Sequence, residues 1–106
     1  ALIEWIEHRL EPLGAVCRRI PNKEGTKANL WVRIGPDAPG GIVLSGHTDV
    51  VPPGPEHEWQ TPPFTASERE GYLYGRGAAD MKSALAAMVV SCERFLKEHP
   101  QHKGSI

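Results

Sequence analysis

Three aliphatic residues in a row, Ile42-Val43-Leu44, stand between the glycine pair Gly40-Gly41 and Ser45-Gly46. A short, continuous apolar run behind a glycine pair is the pattern of a strand covered on both faces. Residues 41–45 are therefore expected to form a buried strand, and the flanking chain has to supply its cover. Apolar residues at Leu2, Ile3, Ile6, Leu10 and Leu13 follow helical spacing, with Gly14 as the natural stop and Pro12 loosening the last turn. Residues 15–20 read as a strand ended by Pro21-Asn22. Residues 29–34 read as a second strand, with Leu30, Val32 and Ile34 on one face.

Beyond residue 50 the chain reads as loop, hairpin and helix. Residues 52–63 form a Pro-rich loop with Trp59 and Phe64 as its anchors, and residues 64–74 form a hairpin around Arg69-Glu70-Gly71. A small-residue loop, 75–80, opens a helix with Met81, Leu85, Met88, Val89, Cys92, Phe95 and Leu96 on one stripe. His99-Pro100 ends that helix. Trp5 and Trp31 are expected in the core. There are no repeats and no low-complexity tract. The order implies an α/β fold with helices packed on a mixed sheet.

Composition bounds the function classes. The 106 residues carry 12 Lys and Arg against 13 Asp and Glu, a net charge of -1, with no basic cluster of the kind that binds nucleic acid. The longest apolar stretch, residues 84–90, is far short of the roughly 18 residues that a membrane span needs. The chain has 11 glycines and 10 prolines, most of them between Gly35 and Gly77, so its middle is largely loop, where sites tend to sit. Cys17 and Cys92 show no metal or redox spacing; one disulfide between them is the alternative to the reading preferred here, two buried thiols of a reducing cytoplasm, and no signal peptide is visible.

Chemistry concentrates at two places. His47 and Asp49 follow the expected buried strand at its carboxyl end, the edge where open α/β sheets bind ligands. A carboxylate two residues on can accept one ring N–H of His47 and free the other nitrogen for a metal. An isolated His-x-Asp can equally close a turn. Asp80 precedes the second helix behind Gly75, Gly77, Ala78 and Ala79. It can cap that helix, or its two oxygens can hold or bridge metal ions. An anion cradle at the same loop fits poorly: position 80 is Asp where G-x-G-x-x-G needs glycine, and no Walker continuation follows Gly77. Arg76 and Lys82 read as a solvated helix start or as ion-pair or substrate partners. Ser45 and Ser83 lack a G-x-S-x-G frame. The other histidines show no partner spacing.

Taken together, these segments resemble one family. Ser45-Gly46-His47-Thr48-Asp49-Val50-Val51-Pro52, then Trp59 and Pro63-Phe64, then Gly71-x-Leu73-Tyr74-Gly75-Arg76-Gly77-Ala78-x-Asp80-Met81-Lys82 are similar to the front half of the catalytic domain of the co-catalytic zinc amidohydrolases. That family includes acetylornithine deacetylase, succinyl-diaminopimelate desuccinylase, aminoacylase and related peptidases. Residues 21–30 look most like the deacetylase. Residues 59–64, with Ala84-Ala86-Ala87-Met88-Val89-Val90, Glu93-Arg94-Phe95, His99-Pro100 and Gly104-Ser105-Ile106, look most like the desuccinylase.

The resemblance implies a zinc-exopeptidase-like α/β fold, with residues 1–106 as the N-terminal portion of the catalytic domain. It implies His47 as a ligand of one zinc, Asp80 as the bridge between two zinc ions, and Asp49 as the catalytic-site carboxylate that orients His47. Cobalt also suits such ligands. The implied reaction is hydrolysis of an N-acyl amino acid amide in cytoplasmic amino-acid biosynthesis. The implied partners are a small-molecule substrate and, for the complete enzyme, a second copy in a homodimer, with no nucleic acid and no membrane. The family's glutamate pair, its remaining ligands and its lid or dimerisation domain have no counterpart in these residues, so the chain by itself is expected to be inactive. The alternative is a non-catalytic module that binds a metal or a protein.

Overall fold

In the computed structural model, which describes residues 2–106, the first apolar stripe forms helix α1 (Leu2–Leu10) and buries Ile6 and Leu10. Pro12 lies in a tighter turn, Glu11–Leu13, that closes the helix. Gly14 then takes the left-handed conformation, φ 86°, and its N–H bonds the Glu11 carbonyl at 2.9 Å. A residue with a Cβ would be strained there, which is why the stop falls on glycine.

The described residues divide into two units: residues up to Ser45 together with Met88–Ile106, and Gly46–Ala87. In the first, β1 (Val16–Pro21) pairs antiparallel with β2 (Ala28–Arg33), Cys17 opposite Val32 and Arg19 opposite Leu30. Asn22 closes the connection: its N–H bonds the Lys27 carbonyl and its side-chain oxygen accepts the Lys27 N–H, each at 2.9 Å. Helix α2 (Ser83–Glu98) gives its opening turn to the second unit and the rest to the first. Its expected stripe holds from Leu85 on, with Val89 and Cys92 buried and Met88, Phe95 and Leu96 half-buried, whereas Met81 lies in the non-helical turn before it. The buried residues of this unit are Ile6, Leu10, Ala15, Ile34, Val89 and Cys92. Burial pushes the Cys92 thiol above its ordinary pKa, and Cys17 likewise; the two are unbonded.

The expected strand at 41–45 does not form a ladder. Ile42, Val43 and Leu44 are 60%, 74% and 45% exposed. Ile34 and Ile106 exchange both main-chain bonds, 2.8 and 2.9 Å, and the Ile42 N–H reaches the Ser105 carbonyl at 3.1 Å. No strand among the described residues pairs with the rest of the run. Apolar sequence reports the cover a segment is suited to, but a strand needs a hydrogen-bonded neighbour to exist. The α/β class stands, built among the described residues from two α-helices and two two-stranded antiparallel sheets.

The second sheet belongs to the second unit: β3 (Ser67–Arg69) pairs with β4 (Tyr72–Tyr74) across Glu70 and Gly71. Both turn residues have positive φ, 53° and 78°, as a two-residue hairpin turn of matching twist requires. Trp59 does anchor the Pro-rich loop, since its Nε1 donates to the Pro53 carbonyl at 2.9 Å. Phe64 does not, being 68% exposed. Trp5 and Trp31, expected in the core, are 37% and 54% exposed; the Arg9 guanidinium covers the Trp5 ring at 5.1 Å. No helix among the described residues is long and apolar enough to cross a membrane.

Two bidentate ion pairs brace the first unit. Arg9 Nε and Nη2 meet the Glu93 carboxylate at 2.6 and 2.5 Å, linking α1 to α2, and Arg19 makes the same fork on Glu7. The Arg9 bond holds the Glu93 carboxyl below the usual carboxylate range, as the Arg19 bond does for Glu7. A depressed folded pKa contributes stability above the unfolded value of roughly 4.3, and that contribution is lost as pH falls through the folded value. Thermal melts followed by circular dichroism are therefore expected to show Tm falling from about pH 5 to about pH 3, and falling less in Glu93→Gln than in the parent. Equal slopes would show that the pair contributes nothing to folding.

Candidate metal centre

The second unit places His47 beside Asp80, through two glycines. Gly46 lets the chain pass close to the start of α2: a Cβ there would stand 3.2 Å from Met81 Cε and 3.4 Å from Leu85 Cδ1. Gly77 has φ 86°, and a Cβ on it would meet Val50 Cγ1 at 2.6 Å and Lys82 Cε at 3.0 Å. Only glycine meets both demands. The turn Ala78–Lys82 follows, with Asp80 at φ -124°, ψ 99° and a cis peptide between Asp80 and Met81. Asp80 is thus extended, and no side chain caps this turn. The helix-cap reading of Asp80 gives way to another contact: its Oδ1 lies 3.1 Å from His47 Nε2.

The other ring nitrogen faces Asp49. His47 Nδ1 lies 3.1 Å from the Asp49 main-chain carbonyl and 3.3 Å from its carboxylate Oδ1. The sequence pointed to the carboxylate as partner, and the carbonyl is the nearer acceptor. A ring N–H donated to that carbonyl fixes the tautomer and turns the second nitrogen to Asp80. The Asp49 carbonyl first, and the Asp80 carboxylate after it, hold the imidazole pKa above its ordinary value, because the protonated ring can donate on both sides. The three side chains are open to solvent, 47% exposed for His47, 91% for Asp49 and 86% for Asp80. They line one cavity with Val50, Gly75 and Arg76.

The donor set suits zinc in part. Two ligands of one tetrahedral zinc, each at about 2.0–2.2 Å, stand roughly 3.3 Å apart. His47 Nε2 and Asp80 Oδ1 are 3.1 Å apart, so a nitrogen and a carboxylate oxygen are spaced as such a pair. Among the described residues no group of three or more His, Cys, Asp or Glu side chains is placed to hold a metal. Of the four other histidines, His8 lies in the last turn of α1, His57 on an exposed turn, Glu56–Glu58, and His99 and His102 around the Phe95 ring.

Three residues do more here than the sequence indicated. Met81 Sδ lies 3.4 Å from the His47 amide nitrogen. Lys82, read as a solvated helix start or a partner for substrate or an ion, sends its Nζ to the Thr48 carbonyl at 2.8 Å. Arg76 lays its guanidinium over the Trp59 ring at 5.1 Å, while its own N–H bonds the Pro63 carbonyl at 2.6 Å. Main-chain partners leave no residue-type signature, so their only sequence signal is proximity to Asp80.

Comparison with known proteins gives this geometry its context. The chain is 58% identical over 97 residues to a succinyl-diaminopimelate desuccinylase of Janthinobacterium sp. (strain Marseille), covering 92% of this chain and 25% of that protein. It is 50% identical over 103 residues to the enzyme of the same name in Bordetella avium (strain 197N), 97% of this chain and 26% of that one. It is 53% identical over 98 residues to that of Coxiella burnetii (strain Dugway 5J108-111), 92% and 25%. The chain thus spans about a quarter of the length of the curated relatives it matches. The model of peptidase family M20/M25/M40 matches residues 43–106, more than half of the chain and all of the His47–Asp80 neighbourhood. The chain belongs to peptidase family M20/M25/M40.

Proposed function

We propose that these residues are the N-terminal part of the catalytic domain of a zinc-dependent amidohydrolase, and that they supply two of its metal ligands, His47 and Asp80. The observation that carries this reading is the 3.1 Å approach of His47 Nε2 to Asp80 Oδ1, made by residues 33 apart in sequence on an open face. Asp49 holds the His47 ring through Nδ1. Asp80, with a second carboxylate oxygen, is the residue suited to bridge two ions. Zinc supplies Lewis acidity toward the amide carbonyl and a bound water of lowered pKa. The relatives' name points to N-succinyl-diaminopimelate as the substrate, an N-acyl amino acid; the deacetylase-like stretch at 21–30 leaves N-acetylornithine as the second substrate to assay. The complete enzyme is read as a cytoplasmic homodimer.

The reading has a pH signature. Below the raised pKa of His47 its Nε2 carries the proton that a metal must displace. Zinc affinity is therefore expected to rise as pH rises through that value. In Asp80→Asn the titration midpoint should move down toward about 6.5, read from the imidazole resonances. Calorimetric titration with zinc chloride should show binding weakened about tenfold or more by His47→Ala and by Asp80→Ala separately. Zinc uptake untouched by both substitutions would overturn the ligand assignment.

Two protein ligands are too few for a hydrolytic two-metal centre, and none of the residues present is read as its general base. The 106-residue chain with zinc is therefore expected to give no turnover of N-succinyl-diaminopimelate or N-acetylornithine. Turnover that His47→Ala abolishes would show that the chain holds a complete site.

A further inference from the structure

The two residues that follow Asp80 both reach back to the segment that carries His47. Met81 offers its sulfur to the His47 amide at 3.4 Å. Lys82 donates from Nζ to the Thr48 carbonyl at 2.8 Å, in a part-buried bond. The Lys82 stem is itself held: its Cε and Cδ stand 3.0 and 3.4 Å from where a Gly77 side chain would begin. Among the described residues this ammonium makes no ion pair, although Asp49 and Asp80 are within two residues of either end of the bond. Its charge is directed at a main-chain dipole between His47 and Asp49, and a hydrogen bond with one charged partner is roughly twice as strong as a neutral one.

We propose that Lys82 is a positioning residue: by holding the Thr48 carbonyl to the start of α2 it sets the His47 ring at the distance from Asp80 that captures a cation. This rests on the reading of His47 and Asp80 as metal ligands. Residues that orient a ligand from behind typically cost 10–100-fold in metal affinity when removed. The lysine acts on the backbone of the 47–49 turn and needs no contact with the metal or the substrate.

The test uses the 106-residue chain, zinc chloride and two variants. Lys82→Met keeps the stem against Gly77 and removes the donor; Lys82→Arg keeps a cationic donor. Lys82→Met is expected to weaken zinc binding about tenfold or more, with Lys82→Arg within about threefold of the parent. In the metal-free protein, Lys82→Met should shift the His47 ring nitrogen resonances and speed amide exchange at residues 48–50. Its circular-dichroism melt should stay close to that of the parent, which separates positioning from a general loss of stability. Parent-like zinc affinity and parent-like ring resonances in Lys82→Met would overturn the proposal. If Lys82→Met is unfolded, Lys82→Arg decides: retained ring resonances and affinity support the proposal, and their loss overturns it. A parent chain that takes up no zinc overturns the metal reading instead, and the metal-free resonances then judge Lys82 alone.

Discussion

A single methyl group at residue 77 would stand 2.6 Å from Val50 Cγ1, closer than two carbon atoms can approach. The absence of that carbon lets the turn before α2 lie against the segment after residue 46. Once the two are in contact, the rest of the centre follows in order. The Lys82 stem fills the space beside Gly77, its ammonium finds the Thr48 carbonyl, and the Met81 sulfur meets the His47 amide. His47 and Asp80 are then brought to 3.1 Å. The polar contact between His47 and Asp80 is a consequence of a steric one.

That dependence explains which parts of the molecule the amino-acid sequence makes legible. The stripe of α2, the left-handed stop at Gly14 and the Glu70-Gly71 turn are local problems, solved by spacing and by backbone permission within a few residues, and each is found where expected. Residues 41–45 fail for the opposite reason. Their apolar character describes a surface suited to burial, while the ladder that would make them a strand depends on partners that no local pattern can guarantee. Trp5, Trp31 and Phe64 repeat the lesson singly: large apolar side chains are expected inside, yet an exposed aromatic under a guanidinium is an ordinary outcome.

The site shows the same division. His47 and Asp49 were legible because two-residue spacing after an apolar run is a recognisable arrangement. Asp80 was legible as one of two things, a helix cap or a ligand; its extended backbone is one that a cap also adopts, and what sets it apart is the approach of its Oδ1 to His47 Nε2. Lys82 and Met81 were not legible in the roles they take, because both reach main-chain atoms. A bond to a carbonyl or an amide places no demand on residue type at its other end, so nothing at Thr48 marks it as a partner.

The choice of acceptor for His47 Nδ1 carries its own consequence. A carboxylate partner loses its charge in mild acid and with it part of its hold on the ring. The Asp49 main-chain carbonyl, the nearer of the two at 3.1 Å, does not titrate in that range. The ring therefore keeps its orientation while the proton on its other nitrogen comes and goes. The metal centre proposed above would depend more on a rigid 47–49 turn than on a particular charge at residue 49. Lys82, in the turn before α2, bonds the one carbonyl between those residues.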